Sequence, residues 1–387
     1  MEGRTLDESA LPRGGERVTA EEAARNRALL SGYDYTKYTE AITGYNGMNR
    51  QRIEICLRLP AVRVRVGPPG NYKAGFCRLR DGALLLACCR NVGGRFHILV
   101  YRSDDSGLNW SETGAAELFG KEPCLVEAAD GSVLLAAQSS GSPFAVTTPL
   151  VTYRSADQGV TWETLPIKDA RDYPRNVIRE PDGSLLMIIA EAPYESMVAK
   201  YTPSTDLRLL RSADNGLTWS AERGTIAGWD NPNFSEVTTI RLPNGRLLAA
   251  FRVYQRGAIH EGMETTFVTE SADNGRTWCE PWPMTGIAEC HVYFNVLPDG
   301  RLLASYSSYH LPFGVFAVVS SDNGRSWSYD RPVRLAVSAD FYVGWPVTVE
   351  LPDAELITSY AVTAFHEQPP DRTVCEVVRW RLPAAAD

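Results

Sequence analysis

Histidine is scarce in this chain, with five in 387 residues, and none stands at a spacing to cysteine or to another histidine that suits zinc. The eight cysteines (Cys56, Cys77, Cys88, Cys89, Cys124, Cys279, Cys290 and Cys375) include no CxxC pair, so there is no redox motif or metal framework to read. Cys88 and Cys89 are neighbours that would point to opposite faces of a strand, and buried free thiols are the expectation. Also missing are a Gly-rich phosphate loop, a Rossmann fingerprint and an EF-hand loop, so no cofactor is called for. There is no basic excess: 39 Lys and Arg stand against 47 Asp and Glu, a net charge of −8. That excludes the electrostatic footprint of a nucleic-acid binder and requires the positive clamp of any acidic ligand to be local. No stretch has the length of an apolar membrane span, and the opening MEGRTLDESALPRGGERVTAEEAARNRALL holds no apolar run flanked by basic residues. A cytoplasmic protein without a membrane partner is the expectation.

What the chain has is repetition. SDDSGLNW (Ser103–Trp110), SADQGVTW (Ser155–Trp162), SADNGLTW (Ser212–Trp219), SADNGRTW (Ser271–Trp278) and SSDNGRSW (Ser320–Trp327) are five copies of one turn. In such a turn Ser and Asp side chains take backbone N–H groups, Gly supplies a positive φ, and Trp folds back as an apolar anchor. A second repeat is interleaved with the first: RDGALLLA (Arg80–Ala87), ADGSVLLA (Ala129–Ala136), PDGSLLMI (Pro181–Ile188), PNGRLLAA (Pro243–Ala250), PDGRLLAS (Pro298–Ser305) and PDAELITS (Pro352–Ser359). Each is a reversal followed by an apolar strand.

An apolar strand precedes each reversal, a third runs into the Ser-x-Asp turn, and a fourth follows it. Six such units predict an all-β chain, a six-bladed β-propeller of four-stranded antiparallel blades. The propeller is assigned to residues 51–387 and a short N-terminal arm, helical or irregular, to residues 1–50, with a Thr-x-x-Glu helix start over Thr19–Leu30. The sixth unit ends in TVCEVVRWRLP, whose open edge RIEICLRLP or AVRVRVG would cover.

The repeats also supply a register. Eight residues before each reversal stand Lys73, Glu122, Pro174, Glu236, His291 and Trp345, and Arg175 follows Pro174. Taken at one offset, these positions form a ring at the starts of the inner strands, on the face away from the Ser-x-Asp turns. Mixed charge converging on a concave centre is a site pattern.

The Ser-x-Asp-x-Gly-x-(Thr, Ser or Asn)-Trp turns resemble the Asp-boxes of the sialidase superfamily, and the resemblance covers residues 71–380. It implies Asp-boxes on the face away from substrate. In SEVTTIRLPNGRLLAAFR it implies that Glu236 and Arg252 occupy the places of the family's helper Glu and of one Arg of its carboxylate clamp. Lys73 in NYKAGF stands where the family has its first Arg, keeping the charge and losing the guanidinium fork. Trp345 stands where the family has its nucleophilic Tyr, with Tyr342 three residues away. CCRNVGGRFHILVYR, where the resemblance places the acid/base Asp, offers Arg90, Arg95 and His97 but no carboxylate. SSYHLPFGVFAVV, where it places the third Arg, offers His310.

The expected function is cleavage of a glycosidic bond of an acidic sugar by a non-standard set. Glu236, His291, Glu122, Tyr342 and His310 are the catalytic candidates, and Lys73, Arg252, Arg175, Arg90 and Trp345 the substrate-binding ones. Hydrolysis would use Glu122 and Glu236 as a carboxylate pair in opposite protonation states. β-Elimination from a uronate would use a His or Tyr base, with Lys and Arg on the enolate-like intermediate. The other readings are a sugar-binding propeller without catalysis, with Trp345, Trp229, Tyr293 and Tyr309 as stacking faces, and a biosynthetic tailoring enzyme that reuses the cavity. His260, Glu261 and Glu264 are read as a solvated loop, and His366 as surface.

Overall fold

The structure, a computed structural model, describes residues 38–43, 55–114, 117–143, 145, 148–193, 201–254, 264–364 and 372–382, with side chains from residue 59 onward. The helix expected at Thr19–Leu30, His260, Glu261 and His366 lie outside them. The described residues form strands paired antiparallel apart from short parallel contacts of Thr225–Ile226 with Thr277–Trp278 and of Thr265 with Glu289, and their one helical element is the 3-10 turn Pro352–Ala354.

The units follow the two repeats. The first consists of Asn71–Arg78, Leu84–Val92, Arg95–Ser103 and Ser111–Glu112. Lys121–Glu127, Val133–Gln138, Leu150–Ser155 and Glu163–Leu165 follow, then Val177–Arg179, Leu185–Ala190, Leu207–Ser212 and Ser220–Ile226. Phe234–Arg241, Leu247–Val253 and Thr265–Ser271 come next, with Trp282–Pro283 on the outer edge. Glu289–Val296, Leu302–Ser308, Gly314–Ser320 and Val333–Val337 precede the last run, Gly344–Glu350, Leu356–Thr363 and Thr373–Trp380.

Of the two segments expected to cover the last edge, Val62–Val66 does so, pairing antiparallel with Thr373–Trp380 from Cys375↔Val66 to Arg379↔Val62. Ile55–Pro60 instead pairs with Tyr38–Thr43, which lies against Val333–Val337. The N-terminal arm thus contributes a strand to the fifth unit, a role that the absence of turn-and-strand repeats before residue 51 did not announce.

The inner strands are neighbours in chain order: Asn71–Arg78 beside Lys121–Glu127, then Val177–Arg179, Phe234–Arg241, Glu289–Val296, Gly344–Glu350 and Asn71–Arg78 again. The Leu-rich second strands are the deepest part of the core, with Leu84, Leu85, Leu134, Leu135, Leu185, Leu247, Leu248, Leu302 and Leu303 all at 0% exposure. Burying their side chains on both faces is what holds adjacent sheets together.

The Ser-x-Asp turns repeat one hydrogen-bond pattern. In the first, Ser103 Oγ donates to Asp105 Oδ1, the Gly107 and Asn109 N–H groups donate to Ser103 Oγ and Asp105 Oδ1, and Trp110 Nε1 donates to Gly107 O. The fourth copy keeps it at Ser271, Asp273, Gly275 and Trp278. The five glycines have φ between 86° and 95°. A Cβ on Gly275 would come 2.4 Å from Leu209 Cδ2 of the preceding unit, so this turn is also a packing surface between sheets. The seven described cysteines are free thiols, and six of them are buried.

Candidate functional site

Five of the six offset positions share an unusual backbone. Lys73, Glu122, Glu236, His291 and Trp345 have φ of 54°, 53°, 56°, 56° and 54°, left-handed values that cost a non-glycine residue about 1–3 kcal/mol. Each lies in a break of register between its inner strand and the next, as between Tyr72↔Cys89 and Gly75↔Ala87, or Cys290↔Ser307 and Tyr293↔Ser305. The extra residue of such a bulge re-aims its side chain. Pro174, the sixth, cannot follow, because its ring holds φ near −65°.

The bulges deliver their side chains into one cluster. Arg252 Nη2 lies 2.7 Å from Glu236 Oε1, and Tyr173 Oη donates to the same oxygen at 3.2 Å. His291 Nε2 is 3.0 Å from Glu236 Oε2. Tyr309 Oη is 3.0 Å from His291 Nδ1, with Ser307 Oγ at 3.4 Å. The His291 ring stacks on Trp345 at 4.8 Å between centroids, and Lys73 Nζ sits 4.4 Å from the Trp345 ring centroid while ion-paired to Glu122. Tyr342 packs beside Trp345 and Tyr72 at 5.9 and 5.8 Å. A Cβ at Gly344 (φ 136°) would fall 2.0 Å from Ser307 Oγ and 3.2 Å from His291 Nδ1, so a glycine there is what lets the imidazole lie where it does.

Protonation follows from this packing. Burial drives the imidazole of His291 down to about 4, against the pull of Glu236, so at neutral pH the ring is uncharged. One tautomer serves both neighbours: the proton on Nε2 faces Glu236, and Nδ1 accepts from Tyr309. Burial works against the charge on Glu236, but Arg252, His291 and Lys73 together hold its carboxyl well below the usual range. Burial likewise opposes the Lys73 ammonium, and Glu122, with Tyr342 and Glu236, more than offsets it. Burial raises the phenol of Tyr309 well above its ordinary value, so it keeps its proton.

Glu236, His291, Glu122, Lys73, Arg252, Trp345 and Tyr342 therefore meet, and Arg175 is buried within charge range of His291. His310 turns to the backbone carbonyl of Ile287, and its neighbour Tyr309 is the residue that reaches His291. Arg90 stands across from Asn71 and His97 towards the end of its strand. Of the proposed stacking faces, Trp229 packs edge-on against Phe234 and Phe251 and tilted against Phe267. Tyr293 lines a different cavity, of about 440 Å³, with Arg78, Arg179 and Asn295. Sequence reasoning passed over Tyr173 and Asp172; the available signal was that Pro174 breaks the offset pattern, which directs attention to the residues flanking it.

Several buried polar atoms in this region have no hydrogen-bond partner: Arg175 Nε and Nη2, Arg252 Nε, Trp345 Nε1, Glu122 Oε2 and Asp172 Oδ2. Such atoms are uncommon in folded proteins and need an explanation. No group of three or more metal-ligating side chains that could hold an ion occurs among the described residues.

The BNR repeat-like domain family matches residues 175–343. No curated protein matches the sequence. Among solved structures, a Dyadobacter fermentans protein of unknown function superimposes with a TM-score of 0.63 at 19% identity, over 83% of this chain and 98% of that one. The NanB sialidase of Streptococcus pneumoniae gives 0.58 at 14% identity, over 82% of this chain and 70% of that one. The α-L-arabinofuranosidase Arb93A of Fusarium graminearum gives 0.57 at 15% identity, over 82% and 97%. At these identities the likeness is one of fold.

Proposed function

We infer that this BNR-repeat protein of the sialidase-like superfamily is a glycoside hydrolase acting on an acidic sugar, at the end of its inner strands where Lys73, Glu122, Glu236, His291 and Trp345 meet. We further propose six blades around one axis. The cyclic order of the inner strands and the Val62–Val66 strand on the last sheet support that count.

One observation carries the functional reading: a largely buried cluster in which Lys73 and Arg252 pair with the carboxylates of Glu122 and Glu236 and Arg175 is a third cation, while donors on Arg175, Arg252 and Trp345 stay unused. The surplus positive charge and the free N–H groups suit a ligand carboxylate, which a guanidinium grips through parallel hydrogen bonds. In this reading Glu236, held ionised, stabilises positive charge developing on a sugar ring.

Hydrolysis is favoured over elimination by the state of His291. Its side chain is fully buried, with Glu236 against one ring nitrogen and Tyr309 against the other, so neither nitrogen is free to take a proton from carbon. Tyr309 keeps its own proton.

The test is incubation with sialosides, glucuronides, rhamnosyl-glucuronides and arabinofuranosides, reading both new reducing ends and the absorbance of an unsaturated uronate. Reducing ends without that absorbance are expected from an acidic substrate. An unsaturated product, or silence across the panel, overturns the reading.

A further inference from the structure

We propose that Asp172 is the proton donor of this site and that the small cavity it lines, shared with Arg252, receives the leaving-group oxygen. This rests on the glycosidase reading above and supplies the acid that the first unit lacks.

Pro174 is the starting point. Because it cannot adopt the left-handed bulge of its five counterparts, the third unit presents different side chains at this level: Tyr173 reaches Glu236, and Asp172 goes to a cavity of about 120 Å³ lined also by Arg171, Gln138, Asn233, Arg252 and Tyr254. Asp172 is only 3% exposed. The backbone N–H groups of Tyr173 and Ala190 favour the ionised carboxyl, but Oδ2 is buried without a partner. Each nearby cation is already engaged: Arg252 by Glu236, and Arg171 by Glu191 at 2.5 Å.

A buried carboxyl without an ion-pair partner keeps its proton. Burial raises Asp172 well above the carboxylate range, and the Glu236 anion adds to that against the N–H groups and Arg252. Glu236, with Arg252 directly against it, is pushed the other way. Two carboxyls near one guanidinium, one protonated and one ionised, are the arrangement that divides acid from charge stabiliser.

The step balances on these residues and one water. As the bond from the anomeric carbon to the bridging oxygen breaks, its electron pair stays on that oxygen, which takes the Asp172 proton and leaves as an alcohol. The cationic anomeric carbon, stabilised by the Glu236 carboxylate, accepts a water oxygen, and that water's proton returns to Asp172.

The test uses the full chain and a sugar that the wild-type protein cleaves, offered as its benzyl and its 2,4-dinitrophenyl glycoside. The second leaving group needs no proton. Asp172→Asn is expected to lose on the order of 10²- to 10⁴-fold in kcat on the benzyl glycoside and less than about tenfold on the dinitrophenyl one, with Asp172→Glu recovering part of the benzyl activity. Equal losses on both glycosides, or no loss on either, overturn the proposal and leave the glycosidase reading standing. A wild-type protein that cleaves no member of the panel overturns both.

Discussion

His291 Nε2 lies 3.0 Å from Glu236 Oε2, and the two side chains are 0% and 1% exposed. A histidine so placed is often pictured as an imidazolium in an ion pair, but burial wins here and the ring is neutral, its protonation held down to about 4. The folded state thus resists a proton that the unfolded chain accepts near pH 6.5. Between those values the unfolded state binds more protons, so stability rises with pH across the window and is lost as pH falls from 6.5 towards 4. The shift corresponds to about 3 kcal/mol. Urea unfolding of the wild-type protein should show this slope, and His291→Gln should flatten it; an unchanged slope refutes the neutral assignment.

From the lower end of that window downward the Glu236 carboxylate adds to the loss. Glu236 has its protonation depressed, so its stabilisation is present above its unfolded value and is lost as pH falls through its folded one. Glu236→Gln should remove this part of the acid limb and cost about 3 kcal/mol at neutral pH, because it leaves Arg252 buried without its anion. Adding Arg252→Gln should restore part of the loss. A double-mutant cycle by chemical denaturation checks it, with additive costs counting against the pair.

How much of this was legible beforehand depended on whether the repeat carried it. The Ser-x-Asp turns and the DG reversals recur at matching offsets, so the strand order and the five residues of the ring could be placed by counting. That Lys73, Glu122, Glu236, His291 and Trp345 share a left-handed φ was invisible, since nothing in these residue types favours it. Tyr173 and Asp172 lie where Pro174 breaks the period, and the period is silent there. Tyr309 rather than His310 reaches His291, because adjacent residues near a strand end point opposite ways and the alignment could not choose between them.

The Ser-x-Asp turns should matter for stability according to what surrounds them. Gly275→Ala combines φ of 90° with a Cβ 2.4 Å from Leu209 Cδ2, and strain plus overpacking should cost about 2–4 kcal/mol. Gly93→Ala, at φ 59° with open space around it, should cost only about 1 kcal/mol. Thermal unfolding of the two variants in parallel checks the ordering.

Gly344 tests the site without touching a charge. Gly344→Ala would put a methyl group 3.2 Å from His291 Nδ1 and 2.0 Å from Ser307 Oγ, pushing the imidazole off Tyr309 and Glu236. Turnover on whichever glycoside the wild type cleaves should fall on the order of tenfold to a hundredfold, since misplacement of about 1 Å is enough for that. Unaltered turnover would show that the position of His291 is immaterial.

Arg175 separates stability from recognition. Its Nε and Nη2 are buried and unused, an arrangement that weakens the fold yet leaves donors ready for an anion. Arg175→Met fills similar volume without a charge to desolvate, so the variant should unfold at higher denaturant, by about 1–2 kcal/mol. The same change removes a charged donor from the ligand, worth about 1.5–3 kcal/mol, so KM for an acidic glycoside should rise roughly 10- to 100-fold while KM for a neutral analogue stays level. Both shifts come from one property, a cation held in place before its partner arrives. A variant that loses stability and leaves KM unmoved would mean that Arg175 serves the fold instead.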